Sequence, residues 1–156
     1  MTSSASRTRT DAAEAAQLPH GKGLLAARDL AAGETVAVFE GPILRFADIP
    51  VEELRHVLWL DGDRWMIPLP PARWINHGCE PNCHVLDRPG DPTRFDVVTL
   101  RAVRAGEELT FAYNRVDRVE ELSSFWHPSW TFECRCGAPA CRRRIDGYEL
   151  DPSHHS

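Results

Sequence analysis

The chain predicts a mainly β domain with minor helix, and three observations carry that reading. First, the apolar stretches at 35–40, 64–67, 95–103 and 108–113 are short, rich in β-branched and aromatic residues, and end at Gly, Pro or polar turns. Second, an apolar strand, an Arg, an Ala-Gly-Glu turn and a second apolar strand follow one another around Gly33 and again around Gly106. Two copies are too few for a repeat architecture, but they fit similar turns built twice in a β fold. Third, a helical period is confined to 49–60 and 116–125.

A length of 156 residues suits one domain with a core that needs no disulfide staples. The net charge of -5 argues against a nucleic-acid binder, which needs a basic face, and suits a cationic partner. No apolar run reaches the length of a membrane span, and no apolar signal segment opens the chain. An intracellular protein is expected, cytoplasmic if the source is bacterial. Five cysteines, an odd number, then read as metal ligands or free thiols rather than disulfides.

Taken in order, 1–17 is expected to be a disordered tail of Ser, Thr, Ala and Arg, with structure beginning near Leu18. Gly21-Lys22-Gly23 is a turn; it lacks the third glycine and strand–helix context of a dinucleotide fingerprint. In 49–60, Val51, Leu54, Val57 and Leu58 share one helical face, opposite Glu52, Glu53 and Arg55, with Pro50 in the first turn. Asp61-Gly62-Asp63 ends that helix, and Pro70-Pro71 delivers the chain extended into 73–83. Residues 86–94, with Pro89, Gly90 and Pro92, form a polar loop. In 116–125, Val119, Leu122 and Phe125 share a helical face. The domain is expected at 18–116, a linker helix with a cysteine motif at 117–145, and a C-terminal tail at 146–156.

The stretch Arg73-Trp74-Ile75-Asn76-His77-Gly78-Cys79-Glu80-Pro81-Asn82-Cys83 makes neither a good helix nor a good strand. Such a concentration of Asn, His and Cys in a loop points to a binding site or a tight structural turn. Farther on, Cys134, Cys136 and Cys141 stand at C-x-C-x4-C. Zinc takes four ligands in a tetrahedron, so three thiolates need a fourth, and the remaining cysteines are Cys79 and Cys83. Outside the 73–83 stretch, His20, His56, His84, His127, His154 and His155 show no ligand spacing.

These pieces, in this order, resemble the SET domain of the protein-lysine methyltransferases. Gly21-Lys22-Gly23-Leu24 with Gly33-Glu34 resembles the family's first motif, 73–83 its central R-F-x-N-H-S-C-x-P-N-C motif, and Gly106-Glu107-Glu108-Leu109-Thr110-Phe111-Ala112-Tyr113 its closing one. Cys134-x-Cys136-x4-Cys141 resembles the post-SET zinc motif.

The resemblance implies a fold of small curved sheets with a pseudoknot, plus a short zinc-bound tail. It implies S-adenosylmethionine bound by Lys22, Gly23, Leu24, Arg73, Asn76, His77 and Tyr113. It makes Tyr113 the catalytic tyrosine, Phe111 a wall of the lysine channel, and Cys79 the fourth ligand of a structural zinc, with Cys134, Cys136 and Cys141. The expected activity is methyl transfer to a lysine of a protein substrate, histone, histone-like or other, with no direct nucleic-acid or membrane partner. Gly78 replaces the usual Ser, Ala112 the usual Asp, and the segment before Arg73 is short. The substitutions at Gly78 and Ala112 motivate a competing reading, a non-catalytic module that keeps the fold and, in one form, the cofactor pocket.

Overall fold

The computed structural model describes residues 10–116, 119–123 and 125–150. Among them the strands form two three-stranded and four two-stranded sheets, and the helical segments are short 3-10 turns. Strand β1 (Ala13–Leu18) pairs antiparallel with β2 (Gly21–Ala26). The largest sheet has the order β3 (Thr35–Phe39), β9 (Asp91–Thr99), β8 (Cys83–Arg88). A smaller one orders β4 (Ile43–Leu44), β6 (Arg64–Met66) and β5 (Leu58–Asp61).

Three parallel or antiparallel pairs of two-residue strands then stitch distant segments together. Strand β7 (Asn76–His77) runs parallel to β10 (Thr110–Phe111), which places the central stretch beside the closing one, as expected for a pseudoknot. Strand β11 (Arg115–Val116) runs parallel to β14 (Glu149–Leu150), and β12 (Phe132–Glu133) pairs antiparallel with β13 (Arg144–Ile145). The main core joins Leu24, Val36, Phe39, Met66, Ile75, Cys83, Val97, Val103 and Leu109 from all the larger sheets. A separate cluster of Cys79, Cys134 and Ile145, with Trp126 and Phe132 against it, holds the C-terminal segment.

Four expectations are corrected. The chain is ordered well before Leu18: Ala12 is buried, and β1 begins at Ala13. Its Ala-rich sequence has weak strand propensity, and the strand exists because β2 offers it a six-residue ladder. The helix expected at 49–60 is a 3-10 turn at Val51–His56, followed by β5. Val51 is 80% exposed, so the apolar face is not used as one; Leu58 and Trp59 instead pair with Met66 and Trp65 across a hairpin. The loop expected at 86–94 is a tight turn at Gly90, where φ of 79° lets β8 run straight back as β9. In 116–125, Val116 is in β11 and a 3-10 turn spans Val119–Ser123 with Val119 exposed; residues 117, 118 and 124 lie outside the described ones.

The C-terminal segment is docked by aromatic packing. Trp130 donates its indole N–H to the Leu54 carbonyl (2.9 Å), and its ring stands 5.9 Å from that of Trp65. Phe46 sits among Trp65, Phe125 and Trp130 in edge contacts. Among the described residues no helix is long and apolar enough to cross a membrane.

Candidate active site and metal centre

The Sγ atoms of Cys79, Cys134, Cys136 and Cys141 all lie within 4.8 Å of one another. Zinc–thiolate bonds of about 2.3 Å require sulfur–sulfur edges of about 3.8 Å in a tetrahedron, and the Cys79–Cys134 edge is 3.8 Å. The donor set therefore fits zinc. Backbone amides already face the sulfurs: Cys79 N–H donates to Cys136, Arg142 N–H to Cys79 and Arg143 N–H to Cys141. Burial pushes the Cys136 thiol up, but hydrogen bonds with the amides of Cys79 and Ala138 and with the Cys134 and Cys141 thiols together bring it down to about 7. Amide donors favour the thiolate, which is the form that binds metal.

Cys83 is elsewhere. It starts β8 in the main core, 1% exposed, and burial pushes its thiol up to about 12. Of the two cysteines available as a fourth ligand, the fold brings Cys79 to the cluster and leaves Cys83 out of it.

Tyr113 follows β10 and meets the central stretch twice. Its hydroxyl donates to the Ile75 carbonyl at 2.5 Å, and its amide donates to Nδ1 of His77 at 2.9 Å. The ring packs against Phe111, His77 and Phe132 at centroid distances of 4.9, 5.4 and 5.8 Å. Burial pushes the phenol well above its ordinary range, so it stays a neutral donor. His77 is itself buried, and burial, aided by the nearby Arg115 charge, lowers it to about 4. Phe111 joins this aromatic group to the core through Phe39.

The residues expected at the cofactor gather around Asn76. Its side-chain amide donates to the Lys22 carbonyl (3.1 Å) and to Glu108 Oε2 (2.9 Å). Gly23 is required here, because a Cβ would stand 2.9 Å from Glu108 Oε2 and 3.1 Å from Asn76 Nδ2. Lys22 Nζ and Arg73 Cζ lie 4.8 and 5.2 Å from the Trp74 ring. Arg73 pairs with Glu53 through Nη2 at 2.7 Å, while its Nε is buried with no hydrogen-bond partner. Two cations on an aromatic face and one unused buried donor fit a ligand carrying a carboxylate. Leu24 differs from the others: its side chain is wholly buried in the core and its carbonyl accepts from the Leu109 amide.

Several residues that shape the site escape a sequence reading. Glu108 also meets His20, at 3.1 Å. Buried Asn82 donates to the Glu108 carbonyl and accepts from the Thr110 amide, clamping the two stretches together. Phe132 stacks edge-on against His77 and Tyr113. Glu108 and Asn82 at least lie inside the quoted motifs; nothing marks Phe132 except its place before Cys134. Gly78 is not a loose point in the loop: its amide donates to Phe111 O, and Thr110 Oγ1 lies 2.8 Å from where its Cβ would be.

A family model described as SET domain matches residues 21–114. The chain is 33% identical over 111 residues to the histone-lysine N-methyltransferase ash1 of Drosophila melanogaster, covering 66% of this chain and 4% of that protein. It is 31% identical over 144 residues to histone-lysine N-methyltransferase 2B of Homo sapiens, covering 81% of this chain and 5% of that one. The chain thus spans a small fraction of the length of these relatives. Its structure is similar to KRYPTONITE crystallised with mCHG DNA and SAH, with a TM-score of 0.63, 25% identity, and coverage of 85% of this chain and 28% of that one.

Proposed function

The chain belongs to the SET domain family, and from that premise we propose that it transfers methyl groups from S-adenosylmethionine to the side-chain amine of a lysine in a protein. The observation that carries this reading is Tyr113: a neutral phenol fixed on the Ile75 carbonyl, walled by Phe111, Phe132 and His77, next to the Asn76 cluster. Relatives named as histone-lysine methyltransferases and a neighbour crystallised with SAH support it.

Lys22, Gly23, Leu24, Arg73, Asn76, His77 and Tyr113 would hold the donor, Arg73 and Lys22 facing its carboxylate and the others contributing chiefly backbone. When bound, it supplies a methyl group on a sulfonium, which already carries a good leaving group. The protein's task is alignment of amine and methyl. The rings of Phe111, Tyr113 and Phe132 would line an apolar channel that favours the neutral amine, its proton having been given up to water. The Tyr113 hydroxyl and the Ile75 carbonyl hold fixed dipoles beside the reacting centre. Cys79, Cys134, Cys136 and Cys141 would hold a structural zinc that fixes Phe132 in the channel wall.

The net charge of -5 favours a basic polypeptide over nucleic acid as substrate. Five free cysteines suit a reducing, intracellular setting. The test is transfer of labelled methyl from S-adenosylmethionine to a mixture of lysine-containing proteins, expected for the wild type and lost in Tyr113→Phe. Folded protein that binds the donor yet methylates nothing would favour the non-catalytic module instead.

A further inference from the structure

The side chain of His77 lies between the two centres. Its Nδ1 accepts the Tyr113 amide at 2.9 Å, so the neutral ring must carry its proton on Nε2. Nε2 stands 3.3 Å from Cys79 Sγ and therefore donates to it. A single buried ring thus touches the backbone of the proposed catalytic tyrosine and the sulfur of a proposed zinc ligand. The chain after Tyr113 is tied to the same places: Arg115 Nη2 donates to the Cys79 carbonyl (2.8 Å), Arg115 Nε to Glu149 (2.6 Å), and the Glu149 amide to the Asn114 carbonyl (3.2 Å). Asn114 itself takes a left-handed φ of 60°, a turn that holds its shape only where neighbours fix it.

We propose that the His77 side chain is a positioning residue that couples the four-cysteine metal site to the backbone of Tyr113. An N–H donor to a metal-bound thiolate sets the orientation and basicity of that ligand. Because the same ring receives the Tyr113 amide, a change at the metal moves the amide, and loss of the ring uncouples them. This role is separate from any contact of the His77 backbone with the donor. It rests on the zinc and Tyr113 assignments above, and its test reads metal affinity and an amide signal rather than methyl transfer.

The chain has two tyrosines, Tyr113 and Tyr148, so protein labelled with nitrogen-15 tyrosine gives two amide signals, with Tyr148 as internal reference. Replacing zinc by cadmium in the wild type is expected to shift the Tyr113 signal more than that of Tyr148. Two variants divide the ring's roles. His77→Asn keeps an acceptor near the position of Nδ1 and loses the reach to Cys79; His77→Gln keeps a donor near the position of Nε2 and loses the acceptor. In chelator competition, zinc Kd should rise about ten-fold in His77→Asn and stay within about three-fold of wild type in His77→Gln. The metal-dependent shift of Tyr113 should collapse in both. A ring that only fills space would leave the two variants with equal zinc affinity, and that result overturns the coupling. If neither variant folds, the wild-type metal exchange decides alone: a Tyr113 signal indifferent to the metal overturns the proposal.

Discussion

The Tyr113 hydroxyl donates to the carbonyl of Ile75, the residue that leads into the Asn76–His77 strand. The phenol is therefore anchored on the segment proposed to carry the donor, not on its own strand. Tyr113→Phe removes one fixed dipole and leaves the ring packing. We expect methyl transfer to fall by about a hundred-fold or more, the usual scale for losing one such donor. Donor affinity measured by calorimetry should change little, since the aromatic walls remain. A comparable loss of donor binding would mean that the hydroxyl acts in the ground state.

Metal content separates Cys79 from Cys83. Purified protein should hold about one zinc per chain, as a single tetrahedral site requires. Cys79→Ser should abolish it, because its Sγ is one corner of the cluster, whereas Cys83→Ser should keep it. Elemental analysis of the two variants gives the answer, and equal metal content in both would refute the ligand set.

The buried thiol of Cys83 also has a pH signature. Alkylation needs the thiolate. With its pKa pushed up to about 12, against 9.0 for an ordinary thiol, Cys83 stays protonated in the folded chain throughout pH 7 to 9. Iodoacetamide labelling followed by mass spectrometry should leave it unmodified across that window and modify it at once in denaturant. The sign for stability follows: a raised thiol pKa favours the fold below about pH 9, and that contribution is lost as pH climbs toward 12.

Two glycines should fail in different ways. At Gly41 a Cβ would run into the backbone carbonyl of Ile67, which cannot step aside. Gly41→Ala should destabilise the fold by about 3 kcal/mol, the upper end of typical overpacking, measurable by denaturant unfolding. At Gly23 the obstacles are the side chains of Leu18, Glu108 and Asn76. Gly23→Ala should unfold nearly normally but part Asn76 from Glu108, weakening donor binding by about ten-fold, or about 1.4 kcal/mol.

The tail has its own handle. Trp130→Ala removes the hydrogen bond to Leu54 and the stack on Trp65 and Phe46. A loss of about 2 to 3 kcal/mol is expected, somewhat less than for a fully buried tryptophan. Hydrogen exchange should locate the loosening in 125–150 rather than in the β3–β9–β8 sheet.

Which parts were readable beforehand follows from how local their causes are. The central stretch announces itself because thiols, amides and a glycine within a few residues have chemical reasons to be together. The closing strand and the cysteine spacing are equally local signals. Strand β1 is not: Ala13-Glu14-Ala15-Ala16 carries no strand preference, and its pairing with β2 supplies the order. The segment 49–60 misleads because four apolar residues on a helical face also suit a short 3-10 turn followed by a strand, and the partner strand β6 decides. Glu108 and Phe132 look like ordinary surface and strand residues. Their roles arise only when Asn76, His77 and Tyr113, from remote positions, close around them.

Cys79 and Cys134 are 55 residues apart in the chain, and the hydrophobic cluster around them is separate from the main core. Closing so long a loop is entropically unfavourable for a metal ion acting on an unfolded chain. The β7–β10 pairing shortens that loop beforehand by setting Thr110–Phe111 beside Asn76–His77, so Cys79 is presented only once the core has formed. Metal capture would then come second, and cooperativity would divide at that seam. A chelator should not unfold the whole molecule, as it does a small metal-organised domain; it should split one melting transition into two, the segment 125–150 giving way first.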